Sequence, residues 1–332
     1  MLSVTESGLY CAAGDFYIDP WRPVARALIT HAHSDHARPG SRAYLCAQAG
    51  VEVLRVRLGR EAVIHGVRYG ETRNFGDVNV SLHPAGHVLG SAQIRLECRG
   101  EVWVVSGDYK TQVDPTCAAF EPVRCHTFIT ESTFGLPVYR WPEPTTVFAE
   151  INAWWRANQA QGRTSVLFGY SLGKAQRLLA GVDASLGPIL THGAVREFLP
   201  AYVAAGVSFP PTEPAARENV HAAGGRALVI APPAADGSPW LEALGDVSTA
   251  FASGWMLLRG TRRRRGADRG FVLSDHADWP GLLGAIRATG AERVLVTHGA
   301  AAPLVRWLNE NGWQAAALAT RFTGEAEEGA TK

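Results

Sequence analysis

The chain has 332 residues, of which 46% are hydrophobic and 19% are charged, and its formal net charge is +1. This composition is typical of a globular protein in water, and no apolar run approaches the ~20 residues that a membrane helix needs. The near-zero net charge excludes a globally basic surface, so an anionic partner must be bound by local patches.

Two further features concern the compartment. The N-terminal stretch "MLSVTESGLYCAAGDFYIDP" lacks the basic start and continuous apolar run of a signal peptide, so we expect a cytoplasmic protein that does not associate with membranes. The five cysteines form no C-x-x-C pair. This pattern indicates reduced thiols rather than a disulfide framework or a zinc knuckle.

The first hundred residues read as short strands joined by tight turns. "LYCAAGDFYID" predicts a hairpin and "ARALIT" predicts a strand. "VNVSLHPAG", "AQIRLEC" and "EVWVVSGDY" predict a meander that turns at Arg99 and Gly100. We therefore expect mostly antiparallel β-structure in this part of the chain.

The pattern changes after about residue 143. "TTVFAEINAWWRANQAQG" places Val147, Ile151, Trp154 and Trp155 on one helical face, behind threonines suited to N-capping. Strands and helices then alternate, which predicts a parallel, Rossmann-like layer of roughly 110 to 130 residues, a size that fits an inserted domain.

The segment from "GFVLSDHADW" onward is expected to complete the first domain. It reads as strand, helix, strand, helix and a last strand, before a polar C-terminal end. The predicted class is therefore α/β, with a first domain made of residues 1–145 and 271–332 and an inserted domain at 146–270.

The loop "LITHAHSDHARPG" carries four side chains of the kinds that bind metals, His31, His33, Asp35 and His36. Imidazole and carboxylate ligands together suit borderline divalent ions such as zinc or manganese. Such a loop can serve two metals about 3.5 to 4 Å apart, as in two-metal phosphoesterases. Further candidate residues follow apolar runs that end as strands, namely Asp19, His87, Asp108 and His298.

The order of these motifs resembles the metallo-β-lactamase fold, and specifically the β-CASP nucleases. The resemblance rests on T-H-A-H-S-D-H with Asp19 before it and G-H, G-D and T-H-G after it, and it covers the whole chain in order. It implies an αββα sandwich with an inserted Rossmann-like β-CASP domain. It also implies that one metal is bound by His31, His33 and His87, the other by Asp35, His36 and His298, with Asp108 bridging them and Asp19 hydrogen-bonding within the ligand shell.

Two further motifs fit the same family. The resemblance assigns Glu131, in "FITEST", and His276, in "SDHADW", to catalysis together with Asp35. A histidine beside a carboxylate can act as the general acid that protonates the leaving sugar oxygen, while two metals activate the attacking water.

A narrower resemblance is to bacterial DNA ligase-associated exonucleases, through "ASGWM", the arginine run, "GFVLSDHADW" and "VTHGA". It implies a metal-dependent DNA exonuclease in DNA repair or end processing, functionally associated with a DNA ligase and a helicase. His298 stands where some DNA-specific branches carry an apolar residue, so an RNA-processing β-CASP nuclease remains the alternative.

Two patches are candidates for substrate binding. The run "TRRRRG" places Arg262, Arg263, Arg264 and Arg265 about a dozen residues before His276, where it could guide a polyanion or simply be a solvated loop. In "LFGYSLGKAQ", Ser171, Lys174 and the amides that open a helix could bind a phosphate, or the glycines could only punctuate strand and helix.

Three other functions compete with a nuclease. A small-molecule metallo-hydrolase would resemble only the metal half of the chain. "GYSLG" also fits a serine-hydrolase elbow, with Ser171, Asp236 and His276 in the required order, but leaves the histidine cluster unexplained. A binding protein with an inactive site would be expected to lack ligands that are all present here.

Overall fold

The computed structural model describes residues 1–258 and 268–322. The chain divides into two compact units: Met1–Arg140 together with the part from His276 onward, and Trp141–Asp275. The sequence placed these boundaries at 145/146 and 270/271. Within the described ranges, no helix combines the length and the apolar character of a membrane span.

The strands, in chain order, are β1 (Leu2–Val4), β2 (Leu9–Cys11), β3 (Phe16–Ile18), β4 (Arg26–Leu28), β5 (Ala43–Ala47), β6 (Ile64–Val67), β7 (Thr72–Phe75), β8 (Val78–Pro84), β9 (Ala92–Cys98), β10 (Glu101–Val105), β11 (Thr127–Ser132), β12 (Thr164–Phe168), β13 (Ile189–Thr191), β14 (Thr212–Pro214), β15 (Leu228–Ala231), β16 (Val247–Ala252), β17 (Arg269–Phe271), β18 (Arg293–Gly299) and β19 (Gln314–Ala317). The helices are α1 (Val51–Leu58), α2 (Pro144–Ala160), α3 (Lys174–Gly181), α4 (Gly193–Arg196), α5 (Leu199–Ala204), α6 (Arg217–Ala222), α7 (Pro239–Glu242), α8 (Trp279–Thr289) and α9 (Ala301–Glu310).

The first unit contains two sheets. Their orders are β1-β2-β3-β4-β5-β6 and β19-β18-β11-β10-β9-β8-β7. One apolar cluster joins residues of both sheets, including Ile18 and Val105, so the sheets pack face to face. Since side chains alternate along a strand, Val104 points to the other face of the second sheet, where it packs with α8 and α9 residues such as Leu282 and Leu304. The expected α/β class is confirmed.

The strand directions differ in part from the sequence expectation. The β2–β3 hairpin and the β7-β8-β9-β10 meander are antiparallel, as predicted. However, β3, β4, β5 and β6 pair in parallel. The histidine loop and α1, a helix that the sequence analysis missed, supply the crossovers that two of these parallel pairs require.

The second unit contains one sheet, in the order β14-β13-β15-β12-β16-β17, and every strand pair in it is parallel. Neighbouring residues Val166 and Leu167 of β12 belong to two different apolar clusters. Helices therefore cover both faces, as parallel sheets require.

Two local expectations for this unit need correction. Helix α2 begins with Pro144 at its first position, and its N-cap is Glu143, which makes no side-chain cap bond, so the threonines after Pro144 do not cap it. The segment expected to return to the first domain starts with β17, which pairs with β16 of the second unit. Phe271 is fully buried in that unit's core, and this burial explains the difference.

Trp155 tests the packing of the second unit. Its side chain is fully buried and its Nε1 donates to Arg226 O over 3.0 Å. We expect Trp155→Ala to lower the free energy of unfolding by about 3–5 kcal/mol, because it leaves a large cavity and removes one of the two side-chain hydrogen bonds to Arg226 O. Urea unfolding followed by circular dichroism measures this, with the exposed Val203→Ala as control; equal effects of the two changes would contradict the described core.

Candidate metal centre

The histidine loop directly follows β4 and closes on itself. The amides of His36 and Ala37 both donate to His33 O, at 3.2 and 2.8 Å. The turn directs His31, Asp35 and His36 into the protein, where all three are buried, and leaves His33 half-buried. A short hydrogen-bonded turn thus concentrates four potential ligands.

A first group of ligand atoms forms around His31. Its members are His31, His33, His87 and Asp108, and one ligand atom from each lies within 4.8 Å of the others. His87 Nε2 is 3.0 Å from His33 Nδ1, and His31 Nε2 is 3.6 Å from Asp108 Oδ2. Four potential metal-ligand atoms therefore lie close together here.

A second group of ligand atoms includes the same carboxylate. It consists of His36, Asp108 and His298, again within 4.8 Å. His298 Nε2 is 3.2 Å from Asp108 Oδ1, and His36 Nε2 is 3.6 Å from Asp108 Oδ2. Asp35 Oδ2 lies 3.5 Å from His36 Nε2. The two groups therefore share Asp108.

These side chains are placed by strand ends of the first unit. His87 follows β8, Asp108 follows β10, and His298 is the last residue but one of β18; these three strands belong to the second sheet. The histidine loop follows β4 of the first sheet. Because both sheets are fixed by a common core, the ligand atoms are held on rigid supports, as metal geometry requires.

Asp19 and Thr30 accept hydrogen bonds from two imidazoles and so determine which ring nitrogen carries the proton. The Thr30 hydroxyl donates to Asp19 Oδ2 over 2.6 Å, so towards His31 Nδ1, at 3.1 Å, its oxygen can only accept. Asp19 Oδ2 likewise accepts from His36 Nδ1 at 2.8 Å. With Nδ1 protonated in both rings, Nε2 is the nitrogen of His31 and of His36 that faces the centre and can bind a metal.

Thr297 determines in the same way which nitrogen of His298 carries the proton. Its hydroxyl donates to Thr130 O over 3.2 Å and accepts from His298 Nδ1 at 3.0 Å. The sequence analysis did not single out Thr30 or Thr297. A signal was nevertheless present, because a threonine directly precedes a candidate ligand histidine in both "THAH" and "VTHG".

The residues present fit divalent metal ions. The Nε2 atoms of His31, His36 and His298 are buried and lack a hydrogen-bond partner among the described residues. Leaving a buried polar atom unpaired costs about 1–3 kcal/mol, unless an ion takes that place. Neighbouring ligands of a tetrahedral zinc ion lie about 3.3 Å apart, close to the 3.0 Å between His87 Nε2 and His33 Nδ1.

Burial and neighbouring charges set the protonation states of three candidate ligands. Burial, together with the charge of His36, holds the pKa of His31 well below its usual value. Burial opposes ionisation of Asp108 too, but the His36 and His298 imidazoles outweigh it and hold the pKa of that carboxyl well below its usual range. A neutral imidazole and an ionised carboxylate are the forms that bind metals. Burial lowers the pKa of His36, but Asp35 and Asp108 outweigh it and raise that pKa to about 10, so a metal ion would displace the Nε2 proton of His36.

Glu131 and His276 form a buried pair beside the centre. His276 Nδ1 lies 2.9 Å from both carboxylate oxygens of Glu131. The amides of Tyr109 and Thr133 donate to the same carboxylate, at 2.9 and 3.3 Å. Ligand atoms of Asp108, Glu131 and His276 lie within 4.8 Å of one another. Glu131 thus fixes the His276 ring through Nδ1, and Nε2 is the nitrogen that can exchange a proton with a group in the centre.

The structure places the candidate phosphate site of the second unit differently from the expectation. Lys174 is fully buried, and its ammonium lies 2.8 Å from Asp275 Oδ2. The Gly173 amide donates to Gln176 Oε1, and the carbonyl of the half-buried Ser171 accepts from the same side chain. A buried ammonium needs its carboxylate partner, so the Lys174 charge is paired inside this unit rather than offered to solvent.

Two other predicted features have different outcomes. The run Arg262–Arg265 lies outside the described residues. The carboxylate that contacts His276 is Glu131, whereas the serine-hydrolase hypothesis required Asp236 in that position. This partner of His276 disfavours the serine-hydrolase hypothesis.

Thr30 allows a test of the hydrogen-bond network. We expect Thr30→Val to weaken metal binding about 10- to 100-fold, because the change removes the hydroxyl that accepts a hydrogen bond from His31 and donates one to Asp19. Thr30→Ser keeps that oxygen and should bind metal like the unchanged protein. Competition against a chromogenic chelator measures both variants; equal metal affinity of the valine and serine variants would refute the role of the hydroxyl.

The chain is similar to parts of several curated proteins. No protein-family model matches the chain. A probable DNA ligase of Opitutus terrae is 34% identical over 94% of this chain and 30% of its own length. The chain is also similar to endoribonuclease ysh-1 of Neurospora crassa, with 28% identity over 44% of this chain and 17% of that protein.

A third relative is cleavage and polyadenylation specificity factor 73 of Drosophila melanogaster, 30% identical over 36% of this chain and 18% of its own length. A protein of unknown function from Enterococcus faecalis V583 shares the fold, with a TM-score of 0.61 and 11% identity over 90% of this chain and 80% of that one. The chain spans less than a third of the length of these curated relatives. It is thus similar, over nearly its whole length, to one part of a protein named as a DNA ligase, and over a shorter part to an endoribonuclease.

Proposed function

We propose that this chain is a metal-dependent nuclease of the β-CASP group within the metallo-β-lactamase fold. The observation that carries the proposal is the pair of histidine groups that share Asp108, with the Glu131–His276 pair beside them. Relatives named as an endoribonuclease and a probable DNA ligase support an activity on nucleic acids. The fold assignment is supported by the two face-to-face sheets of the first unit and by the parallel sheet of the second unit, which is inserted in the sequence between the two segments of the first.

The cofactors of this proposal are two divalent metal ions, zinc or manganese. His31, His33 and His87 would bind one ion, Asp35, His36 and His298 the other, and Asp108 both. When bound, two such ions acidify a water molecule and offset the negative charge of a phosphodiester. Asp19 and the two threonines keep the imidazole lone pairs directed at the ions.

His276 is the proposed general acid. Its Nδ1 faces the Glu131 carboxylate at 2.9 Å, and this contact favours the protonated ring. Nε2 would then donate its proton to the leaving oxygen as the phosphodiester bond breaks. Two backbone amides that donate to Glu131 keep the carboxylate oriented.

DNA is the proposed substrate, and exonucleolytic end processing during repair is the proposed task, in association with a ligase and a helicase. The match that covers nearly the whole chain is to a probable DNA ligase. RNA processing is the second candidate, since the shorter matches include endoribonucleases. A small-molecule metallo-hydrolase is disfavoured because Glu131 and His276 extend the site beyond the metal ligands.

The nuclease proposal is tested by removing one ligand. We expect His33→Ala to lose bound metal and to cleave end-labelled single-stranded DNA at least about a thousandfold more slowly, because the metal supplies several kcal/mol of transition-state stabilisation. His65→Ala, at an exposed histidine of β6, is the control. Matching RNA and duplex DNA, each with zinc and with manganese, report the substrate and the direction. Undiminished cleavage by a metal-free His33→Ala protein would refute the proposal.

A second prediction separates proton transfer from metal binding. We expect His276→Gln to retain both metals and to lower kcat by about 10²- to 10⁴-fold, since the amide cannot donate the proton of an imidazolium. Glu131→Gln should retain metal too and lower kcat less. A His276→Gln protein with unchanged kcat would remove this residue from the mechanism.

A further inference from the structure

Phe322 lies directly on a candidate metal ligand. Its ring stacks on the His36 imidazole with a centroid separation of 4.4 Å and an interplanar angle of 9°. The same ring meets His298 edge-on, with centroids 5.8 Å apart and an angle of 73°. His36 and His298 belong to the same ligand group, so Phe322 contacts both imidazoles on that side of Asp108.

The stack restrains a motion that hydrogen bonds leave open. The bond from His36 Nδ1 to Asp19 anchors one edge of the imidazole, but the ring can still tilt about that bond. A parallel aromatic neighbour opposes the tilt, because the two rings lose contact area and favourable electrostatics when they leave the stacked geometry. Together, Asp19 and Phe322 fix the direction in which His36 Nε2 points.

Several contacts hold the chain before Phe322 in place. The Leu318 amide donates to Val296 O over 2.7 Å, on the strand that carries His298. The Arg321 guanidinium lies 5.9 Å from the centre of the Trp21 ring. Trp21 is itself buried, and its Nε1 donates to Glu6 O over 2.6 Å. Phe322 also contacts Trp21 edge-on, at 6.0 Å.

Phe322 forms part of the wall of a small cavity beside the second ligand group. The same cavity is lined by Asp19, Thr130, Thr297 and His298. These residues include both hydrogen-bond partners that orient the imidazoles of the second group. The segment after β19 therefore closes the side of the centre on which His36 and His298 lie.

We propose that Phe322 is a positioning residue for the second metal, the ion bound by His36 and His298, and that residues 318–322 are part of the metal centre rather than a trailing end. This inference rests on the proposed function for the presence of two ions. It predicts unequal behaviour of the two sites, because the Phe322 ring contacts none of the histidines of the first group in the part of the chain that the structure describes.

The test compares Phe322→Ala, Phe322→Leu and Phe322→Tyr in the full chain. Zinc and manganese affinities are measured by chelator competition with metal counting. We expect the alanine and leucine variants to bind the second ion about tenfold more weakly, while the first ion is bound as before. The tyrosine variant keeps an aromatic face and should recover the original affinity. Equal affinities in all four proteins would overturn the proposal, and so would full recovery by leucine, which fills space without stacking.

Two truncated chains separate the effect of the ring from that of the residues after it. A chain that ends at Phe322 should bind both ions normally, whereas a chain that ends at Thr320 should behave like Phe322→Ala. Loss of the second ion in the chain that ends at Phe322 would contradict the assignment to Phe322. If the unchanged protein binds two ions but cleaves neither DNA nor RNA, the proposed function fails while the difference between the two sites still stands.

Discussion

The structure depends on one buried carboxylate that faces two sets of imidazoles. Asp108 lies within 3.9 Å of ring nitrogens from His31, His36, His87 and His298. Among the described residues, the buried Nε2 atoms of His31, His36 and His298 lie 3.2 to 3.6 Å from this carboxylate without forming a hydrogen bond with it. Cations at the points where these nitrogens and the carboxylate converge would stabilise such an arrangement.

Residues around the centre determine which nitrogen of each imidazole carries the proton. Each histidine has two nitrogens, and a metal needs the correct one deprotonated. Asp19, Thr30 and Thr297 assign the proton to Nδ1 in three rings, and Glu131 holds the Nδ1 edge of His276. In the second unit, the buried Lys174 ammonium pairs with Asp275, the residue that precedes His276 in the chain.

The sequence indicated which polar side chains come together better than it indicated which strands pair in parallel. The side-chain types in H-x-H-x-D-H and the ends of apolar runs indicate ligands directly, and the structure brings His87, Asp108 and His298 to the histidine loop. Strand direction in β3 to β6 depends on long-range packing that short alternating patterns do not encode, so the antiparallel expectation failed there. The sequence "GKA" does not reveal that the Lys174 side chain is buried, which is why Lys174 was expected to bind a phosphate. A threonine in a strand is ordinary, so Thr30 and Thr297 gained meaning only from their contacts.

The central claim is that two ions lie on either side of the Asp108 carboxylate. Anomalous X-ray diffraction from crystals grown with zinc, or with manganese, tests it most directly. The account predicts two anomalous peaks about 3.5 to 4 Å apart, one beside His31, His33 and His87 and the other beside His36 and His298, with Asp108 between them. Absence of anomalous signal at Asp108, or side chains that point away from the peaks, would contradict it.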